Sequence, residues 1–174
     1  LRMMQNVIIL DTSVLCCWLQ VPGKDTAGSD QDKWDFDRID STIKEKIDNG
    51  YYIVLPLATI LETGNHISQA SKFRFECAEK MSKMLEWTAQ GDEPWAAFTE
   101  QAHLFTLENM TRISKEWPVL AAGQISLGDF LIVDVANYYA AAGIKVEILT
   151  GDAGLKAYEP VLPVKQPRRR SKHR

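Results

Sequence analysis

Asn6-Val7-Ile8-Ile9-Leu10-Asp11-Thr12-Ser13-Val14-Leu15 carries the strongest fold signal in the chain. Asn6–Leu10 is apolar and rich in β-branched residues, lacks polar alternation and stops on an acid, the pattern of a short strand buried on both faces. Ser13–Leu19 follows at once and is expected to be a short helix. Working outward, Phe36, Ile39, Ile43 and Ile47 recur at three- and four-residue intervals and predict an amphipathic helix capped by Gly50. Tyr51–Leu55 is a second apolar strand, and Pro56 marks the first turn of a helix carrying Leu57, Ile60 and Leu61. Phe73, Cys77, Met81, Met84 and Leu85 form another helical stripe that stops at Gly91. Asp92-Glu93-Pro94 reads as a helix start before Trp95 and Phe98. Asp129–Ala142 is a helix with Gly143 behind it, Lys145–Leu149 a third strand, and Val161–Val164 a short fourth. Residues 20–33, with Pro22, Gly23 and Gly28, are expected to be a surface loop. Pro118 and Gly123 are expected to break any long helix in 106–126. Strands alternating with helices predict an α/β fold with a mainly parallel sheet of four to five strands covered on both faces.

The chain has 174 residues, 45% hydrophobic and 25% charged, the size and composition of one globular domain. Its longest apolar runs, such as Phe130–Val133, are far too short to cross a bilayer, and Leu1-Arg2-Met3-Met4-Gln5 lacks the apolar region of a signal peptide. No membrane association is expected. Three cysteines, Cys16, Cys17 and Cys77, do not describe a disulfide framework. Neither they nor His66, His103 and His173 have zinc-ligand spacing, so a reducing cytoplasm is the expected setting. The net charge of −3 hides an asymmetry: Lys165–Arg174 holds six bases and no acid, and the remaining 14 bases face 23 acids. Residues 1–164 are thus expected to be the folded domain. Residues 165–174 form a basic tail without the apolar content to order itself alone.

The acids fall at particular places. Asp11 and Asp152 each follow a strand at its carboxyl end, Asp129 opens a helix, and Glu62 sits one and a half turns into the helix after the second strand. Ligands of open parallel sheets bind outside the carboxyl ends of the strands, so all four can converge on one edge. Any one alone has an ordinary reading as a cap or turn residue. Four carboxylates together repel, and a hard divalent cation, Mg²⁺ or Mn²⁺, relieves the repulsion. Such a site suits phosphodiester hydrolysis. Asp134 lies about 140° around the helix from Asp129 and is expected to face solvent. Asn65 and His66 share the helix side of Glu62 and are weaker candidates. Trp18, Trp87 and Trp95 fit core patterns, whereas Trp34 and Trp117 lie near loops and are candidates for base stacking.

Val7-Ile8-Ile9-Leu10-Asp11-Thr12-Ser13-Val14-Leu15 resembles the opening motif of PIN domains. Leu61-Glu62 is similar to that family's second acid, Gly128-Asp129-Phe130-Leu131-Ile132-Val133-Asp134-Val135-Ala136 to its third, and Leu149-Thr150-Gly151-Asp152-Ala153-Gly154-Leu155 to its closing motif. The match runs in order through roughly residues 6–164. It implies a PIN-like three-layer α/β/α fold and a Mg²⁺- or Mn²⁺-dependent endoribonuclease of the kind found in bacterial toxin–antitoxin pairs. By the same resemblance, Asp11, Glu62, Asp129 and Asp152 ligate metal and carry catalysis, and Ser13 and Thr150 support them through hydroxyl contacts. RNA substrate, an antitoxin or other regulatory protein, and a homodimer are the implied partners. Arg168, Arg169, Arg170, Lys172 and Arg174 are the candidates for tracking an RNA backbone, which an acidic body otherwise repels. The alternative is a non-catalytic PIN-like module that binds RNA or protein. A phosphatase is disfavoured because Asp11-Thr12-Ser13 offers one acid where Asp-x-Asp is needed, and a dinucleotide site because no Gly-x-Gly-x-x-Gly follows the first strand.

Overall fold

The computed structural model describes residues 4–162. In chain order the elements are β1 (Asn6–Leu10), α1 (Thr12–Trp18), β2 (Thr26–Ser29), β3 (Asp32–Asp35), α2 (Phe36–Asp48), β4 (Tyr51–Val54), α3 (Leu57–Gln69), α4 (Arg74–Gln90), a 3-10 helix (Phe98–Phe105), α5 (Leu107–Ala122), α6 (Leu127–Ala141), β5 (Lys145–Leu149) and α7 (Ala153–Lys156). No helix among them is long and apolar enough to cross a membrane.

β1 is the middle strand of a wholly parallel sheet ordered β4-β1-β5. Its pairing runs Asn6 to Tyr51 and Ile9 to Val54 on one side, and Asn6 to Lys145 and Leu10 to Leu149 on the other. With a strand on each side it has no free edge, and alternate residues feed two cores. Ile8 and Leu10 pack with Val14, Leu15, Ile39, Ile43, Ile67 and Met81 from α1 to α4. Val7 and Ile9 pack with Ile132, Val135, Ala136 and Tyr139 of α6, Leu104 and Leu155. Helices therefore cover both faces, which is why the strand sequence is apolar throughout instead of alternating.

The sheet has three strands, fewer than the four to five expected from sequence. Val161 and Leu162 belong to no strand, and 163–164 lie outside the described residues. The 20–33 segment is not only a loop: β2 and β3 pair antiparallel, Thr26 with Asp35 and Ser29 with Asp32, as a separate ribbon. Residues 92–97 do not start an α-helix. Ile53 donates to the Pro94 carbonyl at 2.7 Å and Ala96 donates to that of Ile53 at 2.8 Å. This segment satisfies backbone groups on the open edge of β4, and helical structure waits until Phe98. Residues 107–122 are a continuous helix despite Pro118. Pro118 and Ser114, whose carbonyl it leaves without a helix donor, are both exposed, so the missing bond leaves no buried polar group unpaired.

Glu147 ties β5 to its surroundings. It accepts a hydrogen bond from the Tyr51 hydroxyl at 2.6 Å, is paired with Lys46, and lies 3.3 Å from the Lys145 ammonium. Burial pushes its carboxyl up, but the bonds from Lys46 and Tyr51 outweigh this and bring it from 4.5 down to about 2. A carboxyl depressed in the folded state contributes stability that is present above pH 4.5 and lost as pH falls toward 2. Glu147→Gln is thus expected to lower the melting temperature at neutral pH and to flatten its fall across that acid window; parallel melting curves for both proteins check this.

Candidate active site

Asp11 follows β1 directly, and its N–H still donates to Leu149 of β5 at 3.1 Å, so sheet pairing fixes its backbone. The residue is 7% exposed, and its side chain caps α1. Oδ1 accepts from the Thr12 N–H at 2.6 Å. Oδ2 accepts from the Ser13 hydroxyl at 2.8 Å and from the Thr150 hydroxyl, also at 2.8 Å. Three donors from two elements hold one carboxylate in a single orientation. Thr150, buried at the end of β5, also accepts the Asp152 N–H at 2.9 Å. Asp152 Oδ1 in turn accepts from Gly154 N–H at 2.7 Å and Leu155 N–H at 3.3 Å, starting α7 and leaving Oδ2 without a protein bond among the described residues.

Glu62 reaches across from α3. Its Oε2 accepts from the Thr12 hydroxyl at 2.8 Å, so Thr12 joins the first acid to the second. Its Oε1 lies against Gly128, where a Cβ would stand 2.3 Å away, so a larger residue there would push the Glu62 carboxylate from its present position. Asp129 does not itself open α6. Ser126 is the cap, accepting the Asp129 N–H at 3.0 Å, and the helix starts at Leu127. The Asp129 carboxylate is therefore spared from capping and takes no hydrogen bond among the described residues. Asp129 and Asp152 line one cavity.

The acids fall in two pairs, Asp11 with Glu62 through Thr12, and Asp129 with Asp152 along one cavity. Among the described residues no three His, Cys, Asp or Glu side chains stand together as a ready-made metal cage. The donor set nevertheless fits Mg²⁺ or Mn²⁺: the four acids offer hard carboxylate oxygens, and Asp129, Asp152 and Glu62 keep oxygens free of protein hydrogen bonds among the described residues. Cys16 lies behind the site with its thiol donating to Thr63 at 3.9 Å. Burial pushes this thiol up, the Thr63 bond and Lys24 oppose the rise, and the charges of Asp11 and Glu62 add to it. All three cysteines are buried and free, so none is a nucleophile poised at the surface.

Other candidates fare differently. Asp134 is not a solvent-facing acid: it accepts from Asn109 at 3.0 Å and pairs with Arg112 of α5, keeping 11% of its side chain exposed. Asn65 and His66 share α3 with Glu62, but among the described residues neither side chain bonds to it. Trp34 has Arg38 over its ring at 3.7 Å and packs on the core, which removes a face for stacking. Trp117 is half-buried and donates to Ile125 at 3.2 Å. Trp95 is buried as expected, with Trp18 and Trp87 stacked on it at 6.5 and 5.6 Å, though Trp87 stays 40% exposed. Arg168, Arg169, Arg170, Lys172 and Arg174 lie outside the described residues. Residues that sequence reasoning passed over are Thr12, Gly128 and the Gly151–Gly28 contact; a hydroxyl directly after Asp11 and a glycine directly before Asp129 were the available signals.

No family model matches the chain, and it has no match among curated proteins or solved structures.

Proposed function

We propose that this protein is a divalent-metal-dependent endoribonuclease of PIN type. The observation that carries the reading is the Asp11 carboxylate, buried at the head of the central strand and oriented by Thr12, Ser13 and Thr150, with Glu62 one hydroxyl away. Asp11, Glu62, Asp129 and Asp152 would hold Mg²⁺ or Mn²⁺, which supplies an activated water and neutralises charge on the phosphate. Ser13 and Thr150 keep Asp11 aimed at the site. Asp129, free of capping duty, can accept a hydrogen bond from the attacking water. An RNA backbone meets a repulsive acidic body, so the basic tail 165–174 supplies attraction that weakens with salt. Action in the cytoplasm, control by an antitoxin and pairing into a homodimer belong to the same proposal.

A non-catalytic RNA- or protein-binding module is the second reading, favoured in that no three metal-ligating side chains stand together among the described residues. Calorimetric titration with Mn²⁺ separates the two. The enzyme reading expects a saturable site that weakens at least about tenfold in Asp129→Asn, where a charged ligand is lost, together with Mn²⁺-dependent cleavage of a panel of cellular RNAs. A wild-type chain that takes up no Mn²⁺ and cuts no RNA leaves only the binding module.

A further inference from the structure

A cavity of about 210 Å³ opens beside the candidate site, between the C-terminal end of α5, the first turns of α6, and α7. Leu120, Ile125, Phe130, Val133 and Leu155 give it apolar walls. Asp129 and Asp152 line it too, so its occupant lies against the carboxylates. It is smaller than the roughly 300–1,000 Å³ pockets that enclose whole small-molecule ligands, and so suits a single ring system. The two carboxylates disfavour an anion. The two remaining side chains of interest, Gln124 and Tyr158, make no side-chain hydrogen bond among the described residues. Tyr158 is 48% exposed and brings an aromatic ring to the cavity lining. Gln124 offers an amide, a donor and an acceptor together.

Gln124 also sits where its backbone resists it. It ends α5 in the left-handed region at φ +67, its N–H donating to Ala121 at 3.0 Å and that of Ile125 to Leu120 at 3.0 Å. This turn is normally made by glycine, which is free of the steric cost a side chain bears there. A glutamine held in that position at a cavity lip is an outlier that points toward use of its side chain.

We propose that this cavity receives the nucleobase adjacent to the phosphate at the carboxylates, with Tyr158 as stacking platform and Gln124 bonding to the base's polar edge. A base is the occupant that satisfies all the walls at once: flat apolar faces, no charge, and an edge carrying donors and acceptors. The proposal rests on the nuclease reading for the identity of the polymer.

The test is anisotropy of four short labelled homopolymeric RNAs, of A, C, G and U, with the full chain carrying Asp11→Asn so that cutting is slow on the timescale of the measurement. One base is expected to bind at least about fivefold tighter than the others. Tyr158→Ala is expected to weaken that RNA about tenfold, within the range for loss of one base–aromatic stack. Gln124→Gly is expected to level the preference while its melting temperature holds or rises, which a damaged fold would not do. Equal affinity for all four RNAs, unchanged by either substitution, or no binding at all, overturns the pocket. Metal-dependent cleavage by the unsubstituted chain is scored separately. Cleavage indifferent to Tyr158 and Gln124 sinks the pocket alone, whereas base-selective binding without cleavage sinks the nuclease reading alone.

Discussion

If the protein is the proposed nuclease, Asp11→Asn is expected to lower RNA cleavage by about 10²-fold or more while leaving the protein folded. The size follows from the several kcal/mol that a metal site contributes to a phosphoryl transition state, at a tenfold rate change for about every 1.4 kcal/mol. An amide in place of the carboxylate keeps the shape but halves the acceptors and removes the charge. The Thr12 N–H, the Ser13 hydroxyl and the Thr150 hydroxyl all point at those two oxygens. Hydroxyls can turn and accept from the new NH₂ group, so the fold loses only the difference between charged and neutral hydrogen bonds, about 1–2 kcal/mol. For a chain of this length that is a fall in melting temperature of roughly 2–8 °C. Paired cleavage assays in Mg²⁺ or Mn²⁺ and thermal melts measure both quantities. Undiminished cleavage by Asp11→Asn removes the carboxylate site as the seat of activity.

Gly151→Ala is expected to cost substantial stability. A Cβ at 151 would stand 2.1 Å from the Gly28 nitrogen, 2.6 Å from its Cα and 2.8 Å from the Ala27 carbonyl carbon. All three are backbone atoms, so no side chain can swing aside, and the β2–β3 ribbon must lift. Overpacking of this kind costs about 1–3 kcal/mol, or roughly 2–12 °C in melting temperature. Gly151 also joins Thr150 to Asp152, so lifting the ribbon is expected to disturb the Thr150–Asp11 bond and reduce cleavage together with stability. Gly64→Ala sets the opposite sign. Gly64 lies inside α3 with nothing within 4 Å of a built Cβ, and alanine there is expected to stabilise by up to about 1 kcal/mol. Equal melting temperatures for the two variants would show that the ribbon does not rest on residue 151.

Elements with a repeated apolar pattern were legible in the sequence, and those without one were not. β1 and β4 are largely buried and read as apolar runs, β5 shows through Val146, Ile148 and Leu149, and α2, α3 and α4 carry stripes at helical spacing. The β2–β3 ribbon turns only Ala27 and Trp34 inward, and two side chains make no period to detect. α5 buries only Ile113 fully, and Pro118 hid what remained of its stripe. The same distinction governs the site. Asp11, Thr150 and Asp152 are placed by strand ends and were legible. Asp134 was misread because its partner Arg112 stands on the helix that had not been foreseen. Thr12 was overlooked because what it does depends on Glu62, 50 residues away, and such a contact leaves no local mark.

The bond from Thr150 to Asp11 spans 139 positions of the chain, and β5 is the last of the three strands to be made. A growing polypeptide therefore holds β1, β4 and three of the four acids well before it can seat the first of them. At a synthesis rate of about 5–20 residues per second, Thr150 leaves the peptidyl-transfer centre roughly 7–30 s after Asp11. Until then Asp11 lacks a donor, Asp152 does not exist, and the sheet has one edge unfilled. The hydroxyl that completes the seating of Asp11 therefore arrives only once β5 has been made, long after β1 and β4.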